Sequence, residues 1–164
     1  PRLGGANTLA SYGVTGTPHF DHPLNGFETL TRYTRNGETI SPETIAAEAR
    51  TAVRQSHIDF LSNLPLTLET EDLIFVHAGL RPNIAIKDQD IEDLLWIRDG
   101  FLETNHNFER LVVHGHTALD HPTHFGNRVD IDGGAGYGRP LVPVVFEGRD
   151  CWTLTDTGRV PLVA

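Results

Sequence analysis

The stretch "RLVVHGHT", residues 110–117, ends an apolar run in two histidines one residue apart, His114 and His116. In an extended strand, side chains at i and i+2 point to the same side. Two imidazoles at that spacing can bind one divalent metal. Gly115 stands between them at the end of the run, where the chain can bend, so the spacing does not require both rings to chelate. The competing reading is a polar loop after a strand. "LIFVHAGLRP", residues 73–82, repeats the shape: an apolar run, then His77, then Gly79. Strand ends before a glycine are where side chains converge on a cleft. The plainer alternative for His77 is a half-buried, hydrogen-bonded structural histidine.

Arg98, in "WIRDG", follows an apolar helix face. A guanidinium binds phosphate oxygens in a bidentate fork; a surface ion pair with Asp99 or a nearby acid is the commoner fate of such a residue. "DIDGGAGYGRPL", residues 130–141, has the glycines of a phosphate loop. It lacks both the following helix and the Lys-Ser/Thr ending, so it reads as a turn between strands. His19, His22, His106, His121 and His124 fall in segments read as loops, without recurrent ligand spacing, and read as solvated.

The elements that must carry these residues follow from periodicity. Residues 1–40 are rich in turn formers and read as a loop-rich surface segment. "SPETIAAEARTAVRQSHIDFLSNLP", residues 41–65, predicts a helix: Ser41 caps it, Pro42 suits the first turn, and Glu43 suits the helix dipole. "LIFVHAG" predicts a buried strand, and "IEDLLWIRDGFL" a short helix running into a loop. "RLVVHGH", "RVDIDGG", "LVPVVFEG" and "CWTLTDTG" then predict strands of an antiparallel or mixed sheet.

Composition excludes several function classes. The chain has 164 residues, enough for one domain with a real core. Nothing approaches 18 consecutive apolar residues, so no transmembrane helix and no membrane partner are expected. The formal charge is −9, from 13 basic and 22 acidic residues, with no Lys/Arg cluster to hold nucleic acid. Any phosphate site must then be a local cationic pocket in an acidic body. A single cysteine, Cys151, precludes an intrachain disulfide and fits the reducing cytoplasm. The chain opens on Pro rather than Met, which points to a piece of something longer, or a processed product.

Five segments occur in an order that resembles the second half of the calcineurin-like metallophosphoesterases, most of all their bacterial serine/threonine protein phosphatase branch. They are "GGANTLASYG" (4–13), "LIFVHAGLRP" (73–82), "LLWIRDGFL" (94–102), "VVHGHT" (112–117) and "VDIDGGAGYGRPL" (129–141). The resemblance implies an α+β fold: the C-terminal part of a four-layer αββα sandwich, with a mixed or antiparallel sheet and flanking helices. It makes 1–164 one partial domain, with 1–40 as a substrate lid, a helix at 41–65 and a sheet region at 73–158 bearing the histidines. It implies that His77 and His116 bind one metal of a two-metal centre, that His114 is a neighbour behind that ligand shell, and that Arg98 holds substrate phosphate. Manganese is the metal first expected, with iron or zinc as alternatives. Other branches carry Gly-His-x-His; residue 118 here is Ala, as in the protein phosphatases. The family's N-terminal motifs, Gly-Asp-x-His-Gly among them, do not occur in the chain. The resemblance therefore implies that the isolated 164-residue polypeptide is inactive.

The function expected is hydrolysis of a phosphorylated protein or small phosphoester by a metal-activated water. Dinucleoside polyphosphate hydrolysis is the alternative within the superfamily. The alternative outside enzymology is a truncated, non-catalytic paralogue that acts as a binding protein.

Overall fold

A computed structural model describes residues 5–21 and 29–164, which divide into two compact units, Pro1–Leu64 and Pro65–Ala164. His22 and the "HPLNGFE" part of the turn-rich segment lie outside the described residues. Among the described residues no helix is long and apolar enough to cross a membrane.

The first unit corrects the loop-rich reading of residues 1–40. Helix α1 (Gly5–Ser11) is followed by strands β1 (Thr17–Asp21), β2 (Thr29–Arg35) and β3 (Glu38–Ile40), an antiparallel sheet in that order. Thr, Tyr, Phe and Ile supply the β-prone residues. Asn36 and Gly37 make the two-residue turn between β2 and β3, both with positive φ (53° and 82°). That is the Asn-Gly hairpin signature, hidden among other turn formers in the sequence.

The predicted helix at 41–65 is two helices, α2 (Pro42–Ala52) and α3 (Gln55–Ser62). Ser41 caps α2 as expected, its side chain accepting from Thr44 N at 3.2 Å. The break falls at Val53 and Arg54, both extended, with ψ of 123° and 137°. A β-branched valine gains little from continuing a helix. Ile45 of α2 is buried, whereas Phe60 and Leu61 of α3 are each 64% exposed.

The second unit is built on a five-stranded mixed sheet. Its strands are β4 (Thr67–Glu69), β5 (Leu73–Val76), β6 (Leu111–His114), β7 (Thr123–His124) and β8 (Arg128–Asp130), ordered β4-β5-β6-β8-β7. β5, β6 and β8 run parallel, flanked by antiparallel edges. As expected of parallel strands buried on both faces, β5 and the first three residues of β6 are continuous apolar runs, whereas β8 flanks Val129 with the buried Arg128 and Asp130. Alternation sends Leu73, Leu111, Val113 and Val129 to one face, where they meet Cys151 and the half-buried Val144 and Phe146. The latter belong to a three-stranded antiparallel sheet of β9 (Val144–Glu147), β10 (Asp150–Thr155) and β11 (Gly158–Pro161). Ile74, Val76 and Val112 pack on the other face with Leu80, Leu94, Ile97 and Phe101.

Leu94 and Ile97 place helix α4 (Ile91–Trp96) on that second face. Asp90 caps it, accepting from Glu92 N at 2.9 Å, and the extended Ile97 ends it. Leu94 O accepts from Ala78 N at 2.9 Å, which fastens the helix to the end of β5. Gly79 follows because nothing larger fits: a Cβ there would lie 2.3 Å from the fully buried Phe101 ring. The described residues thus form an α+β fold with three sheets and four α-helices.

Candidate metal centre

β5 and β6 are hydrogen-bonded neighbours, and His77 and His116 lie just past their ends. The ladder continues one step beyond the strands: Gly115 N donates to His77 O at 3.0 Å. The two imidazoles then meet edge to face, with centroids 5.0 Å apart. His77 is exposed and His116 half-buried, so the pair opens outward.

His116 adopts a left-handed backbone, φ 67°. It is the central residue of a three-residue turn closed by Thr117 N donating to Gly115 O at 2.7 Å. Such a conformation costs a non-glycine residue on the order of 1–3 kcal/mol and persists where its surroundings over-determine it. Histidines i and i+2 therefore do not share one side here, because the bend at Gly115 separates them. His116 Nε2 is buried with no hydrogen-bond partner. Burial first, then the nearby Arg98 and His77, hold its pKa below the ordinary value, while the Trp96 backbone and Asp132 pull the other way. A neutral imidazole with an unsatisfied ring nitrogen is chemically able to bind a divalent metal.

Trp96 stands edge-on to His116, centroids 5.6 Å apart, and is 53% exposed on the side of α4 turned from the core. Arg98 follows in an open cleft that Arg81, Asp93, Trp96 and Asp99 also line. The plainer alternative, an ion pair of Arg98 with Asp99 or a nearby acid, does not form among the described residues. Arg81 is held instead by Asp93, its Nε donating to Oδ2 at 2.7 Å. Arg98 is thus an exposed cation close enough to His116 to depress its pKa.

His114 points elsewhere. It is 2% exposed, edge-on to Phe101 at 4.9 Å, in the core beneath α4. Its Nδ1 lies 3.2 Å from Gly115 O and its Nε2 has no partner. Burial pushes its pKa down to about 4. Across the β6–β8 ladder it faces Asp130, with Nδ1 3.8 Å from Oδ2, too far for a hydrogen bond. Asp130 is 1% exposed; burial raises its pKa to about 7, aided by Asp132 and opposed by the Asp132 backbone N–H and by Arg128. Arg128 is buried on the same side of β8, its Nη2 donating to Leu102 O at 2.7 Å and its guanidinium 4.0 Å from the Phe125 centroid. The sequence reading passed over Arg128 and Asp130. Their signal was the period-two "RVD" beside "VVH", which sets both charges on the His114 face.

Of the other histidines read as solvated loop residues, three have structural partners or surroundings, whereas His121 is exposed as expected. His19 lies in β1 and His124 in β7, not in loops; His19 Nε2 meets Thr34 Oγ1 at 2.9 Å, and His124 Nδ1 accepts from Gly126 N at 2.9 Å. His106 stacks edge-on to Phe108. Among the described residues no group of three or more His, Cys, Asp or Glu is placed to hold a metal ion. His77 and His116 come together as a pair, with no third such side chain grouped with them among the described residues.

No family model and no curated protein matches the sequence. Among solved structures, a crystal structure described as "a putative diadenosine tetraphosphatase" superposes with a TM-score of 0.54 at 19% identity, over 73% of this chain and 60% of that one. The likeness is one of fold, and the chain spans about 60% of the length of that structure.

Proposed function

We propose that this chain belongs to a metal-dependent phosphoester hydrolase, in which His77 and His116 are ligands of one of two divalent metals and Arg98 holds the phosphate. The observation that carries the reading is the 5.0 Å approach of the two imidazoles, with His116 Nε2 buried and unpaired beside an exposed arginine. A bridged divalent pair, when bound, lowers the pKa of water enough to supply hydroxide near neutral pH. His77 and His116 contribute neutral nitrogen donors. Arg98 offers the planar fork that orients a phosphate dianion and offsets charge on its equatorial oxygens during in-line attack.

Two substrate classes fit that chemistry. Phosphoserine or phosphothreonine in a protein is the first, on the sequence resemblance and on Ala118 in place of a second-metal histidine. A dinucleoside polyphosphate is the second, favoured by the description of the superposed structure. The test is hydrolysis of p-nitrophenyl phosphate, a phosphothreonine peptide and diadenosine tetraphosphate by the full-length protein, with manganese and after chelation. We expect manganese-dependent turnover that His116→Ala abolishes. Activity that survives both chelation and His116→Ala would overturn the assignment. Selective turnover of the dinucleotide would replace the first substrate class by the second. On its own, a pair of neutral imidazoles brings no negative charge to a divalent ion. We therefore infer weak metal binding and negligible turnover for residues 1–164 alone.

A further inference from the structure

His116 holds an unfavourable conformation, and its own segment supplies only the Thr117 N–H to Gly115 O bond to enforce it. The turn from Gly115 to Leu119 is pinned at both ends: Gly115 N donates to His77 O at 3.0 Å, and two further contacts, one at each end, lead to Asp132. At one end Gly115 packs directly on the Asp132 side chain: a Cβ on Gly115 would lie 3.3 Å from Asp132 Cβ. At the other end Leu119 N donates to Asp132 O at 2.9 Å. Asp132 is itself fixed from two further directions. Its N–H donates to Asp130 Oδ1 at 2.9 Å, and its Oδ1 accepts from Gly134 N at 2.9 Å. Between the two pins the chain must reverse sharply, and the Thr117 N–H to Gly115 O bond closes that reversal around His116.

We propose that Asp132 is the positioning residue of His116: by clamping both ends of the Gly115–Leu119 turn, it holds His116 left-handed and so presents its imidazole to His77. The carboxylate acts as a shaped acceptor and spacer, not as a metal ligand. Two imidazoles and one strained turn give the half-site its geometry before any ion arrives. The part of this inference that concerns metal rests on the ligand reading of His77 and His116; the part that concerns the turn does not.

The test compares Asp132→Ala and Asp132→Asn in the full chain. Asparagine keeps the whole side-chain volume beside Gly115 and the oxygen that accepts from Gly134 N; alanine keeps the Cβ under Gly115 and the backbone carbonyl that binds Leu119 N, but loses the carboxyl group through which Gly134 N fixes residue 132. The metal-free measurement is amide hydrogen exchange at Thr117, together with the His116 backbone coupling constant by NMR. We expect Asp132→Ala to lose Thr117 protection and shift the His116 φ angle, and Asp132→Asn to retain both. The second measurement is manganese titration, read from paramagnetic broadening of the His77 and His116 ring resonances. Loss of a positioning group behind a ligand typically costs about 10- to 100-fold in metal affinity, so we expect that range for alanine and no more than about threefold for asparagine. Equal losses for the two variants would show that charge, not positioning, matters. Intact Thr117 protection in a folded Asp132→Ala protein would also overturn the proposal. Should Asp132→Ala fail to fold, Gly115→Ala tightens the same contact to 3.3 Å, which a shift of a few tenths of an ångström relieves; Thr117 protection and the His116 coupling constant both unchanged there refute the clamp. If the parent protein takes up no manganese, the ligand reading fails, and the exchange measurement still judges Asp132.

Discussion

Replacing Asp130 by Asn should change how stability depends on pH, and the structure sets the sign and size. Asp130 is buried against His114 of β6, Arg128 of its own strand and Asp132 beyond it. Its pKa rises from 3.8 to about 7 in the folded protein. The native state therefore holds a proton that the unfolded chain releases, and stability falls as pH rises from about 4 to about 7. At about 1.4 kcal/mol per pH unit, ionising Asp130 in place costs roughly 4 kcal/mol by neutral pH. His114 acts in the opposite sense. Its pKa falls from 6.5 to about 4, so the unfolded chain binds the extra proton, and stability rises with pH through that window. Between about pH 4 and 6.5 the two slopes cancel, and their joint contribution is flat; only above that range does the cost of Asp130 show.

Asp130→Asn removes one slope and leaves the other. Asparagine can still accept from Asp132 N–H, so the local hydrogen bond survives. We expect the variant to be more stable than the parent at pH 8 by a few kcal/mol, and to lose stability steeply on acidification from pH 6.5 to 4, where the parent changes little. Urea midpoints at pH 4.5, 5.5, 6.5 and 8, read by far-ultraviolet circular dichroism, measure both. A variant no more stable at pH 8, or as insensitive as the parent between pH 4.5 and 6.5, would refute the electrostatic account of this core.

Three further outcomes follow from the same geometry. Arg98→Ala in the full-length protein should lower turnover and raise KM without loss of bound metal, and Lys should restore it only in part, since a point charge does not reproduce the fork; lost metal, measured by elemental analysis, would make Arg98 structural. His116→Ala should abolish metal-dependent activity, whereas His114→Ala, which removes a core ring touching Phe101 and Gly115 O, should act mainly on stability; equal loss of bound metal in the two would make His114 a ligand. Gly79→Ala places a methyl 2.3 Å from Phe101 and should destabilise by about 1–3 kcal/mol or more, seen as a lower urea midpoint; an unchanged midpoint would mean that the Phe101 pocket yields freely.

Strands β5 and β6 were legible as buried strands, though not as parallel neighbours, because burial on both faces leaves mainly apolar residues to write. "LIFV" and "LVV" admit little else, and the helix start at Ser41-Pro42-Glu43 carries its own chemistry. The hairpin in the first forty residues was not legible. Its strands mix Thr, Arg and Tyr without a clean period, and its Asn-Gly turn stands among other turn formers. The break between α2 and α3 was missed for the opposite reason: the apolar spacing runs through Val53 without interruption, and only the extended backbone there ends the helix.

At the site, residue type was legible and direction was not. "VVHGHT" offers two equivalent histidines, and alternation alone would send both to one side. The structure separates them by one device, the turn at Gly115 and His116. His114 stays on the strand and turns into the core; His116 leaves it and meets His77. Nothing within the hexapeptide encodes that choice, because a left-handed histidine is locally unfavourable. The choice comes from Asp132, sixteen residues later, which occupies the space beneath Gly115 and binds Leu119. A pattern that looks like a two-histidine chelate is thus one outward ring and one core ring, sorted by a contact distant in sequence. The same sorting places a buried acid and a buried base, Asp130 and His114, directly behind the turn. Asp130 ends β8 and leads directly into Asp132, so the strand that bears the cost of ionising Asp130 is also the one that brings Asp132 beneath the turn at His116.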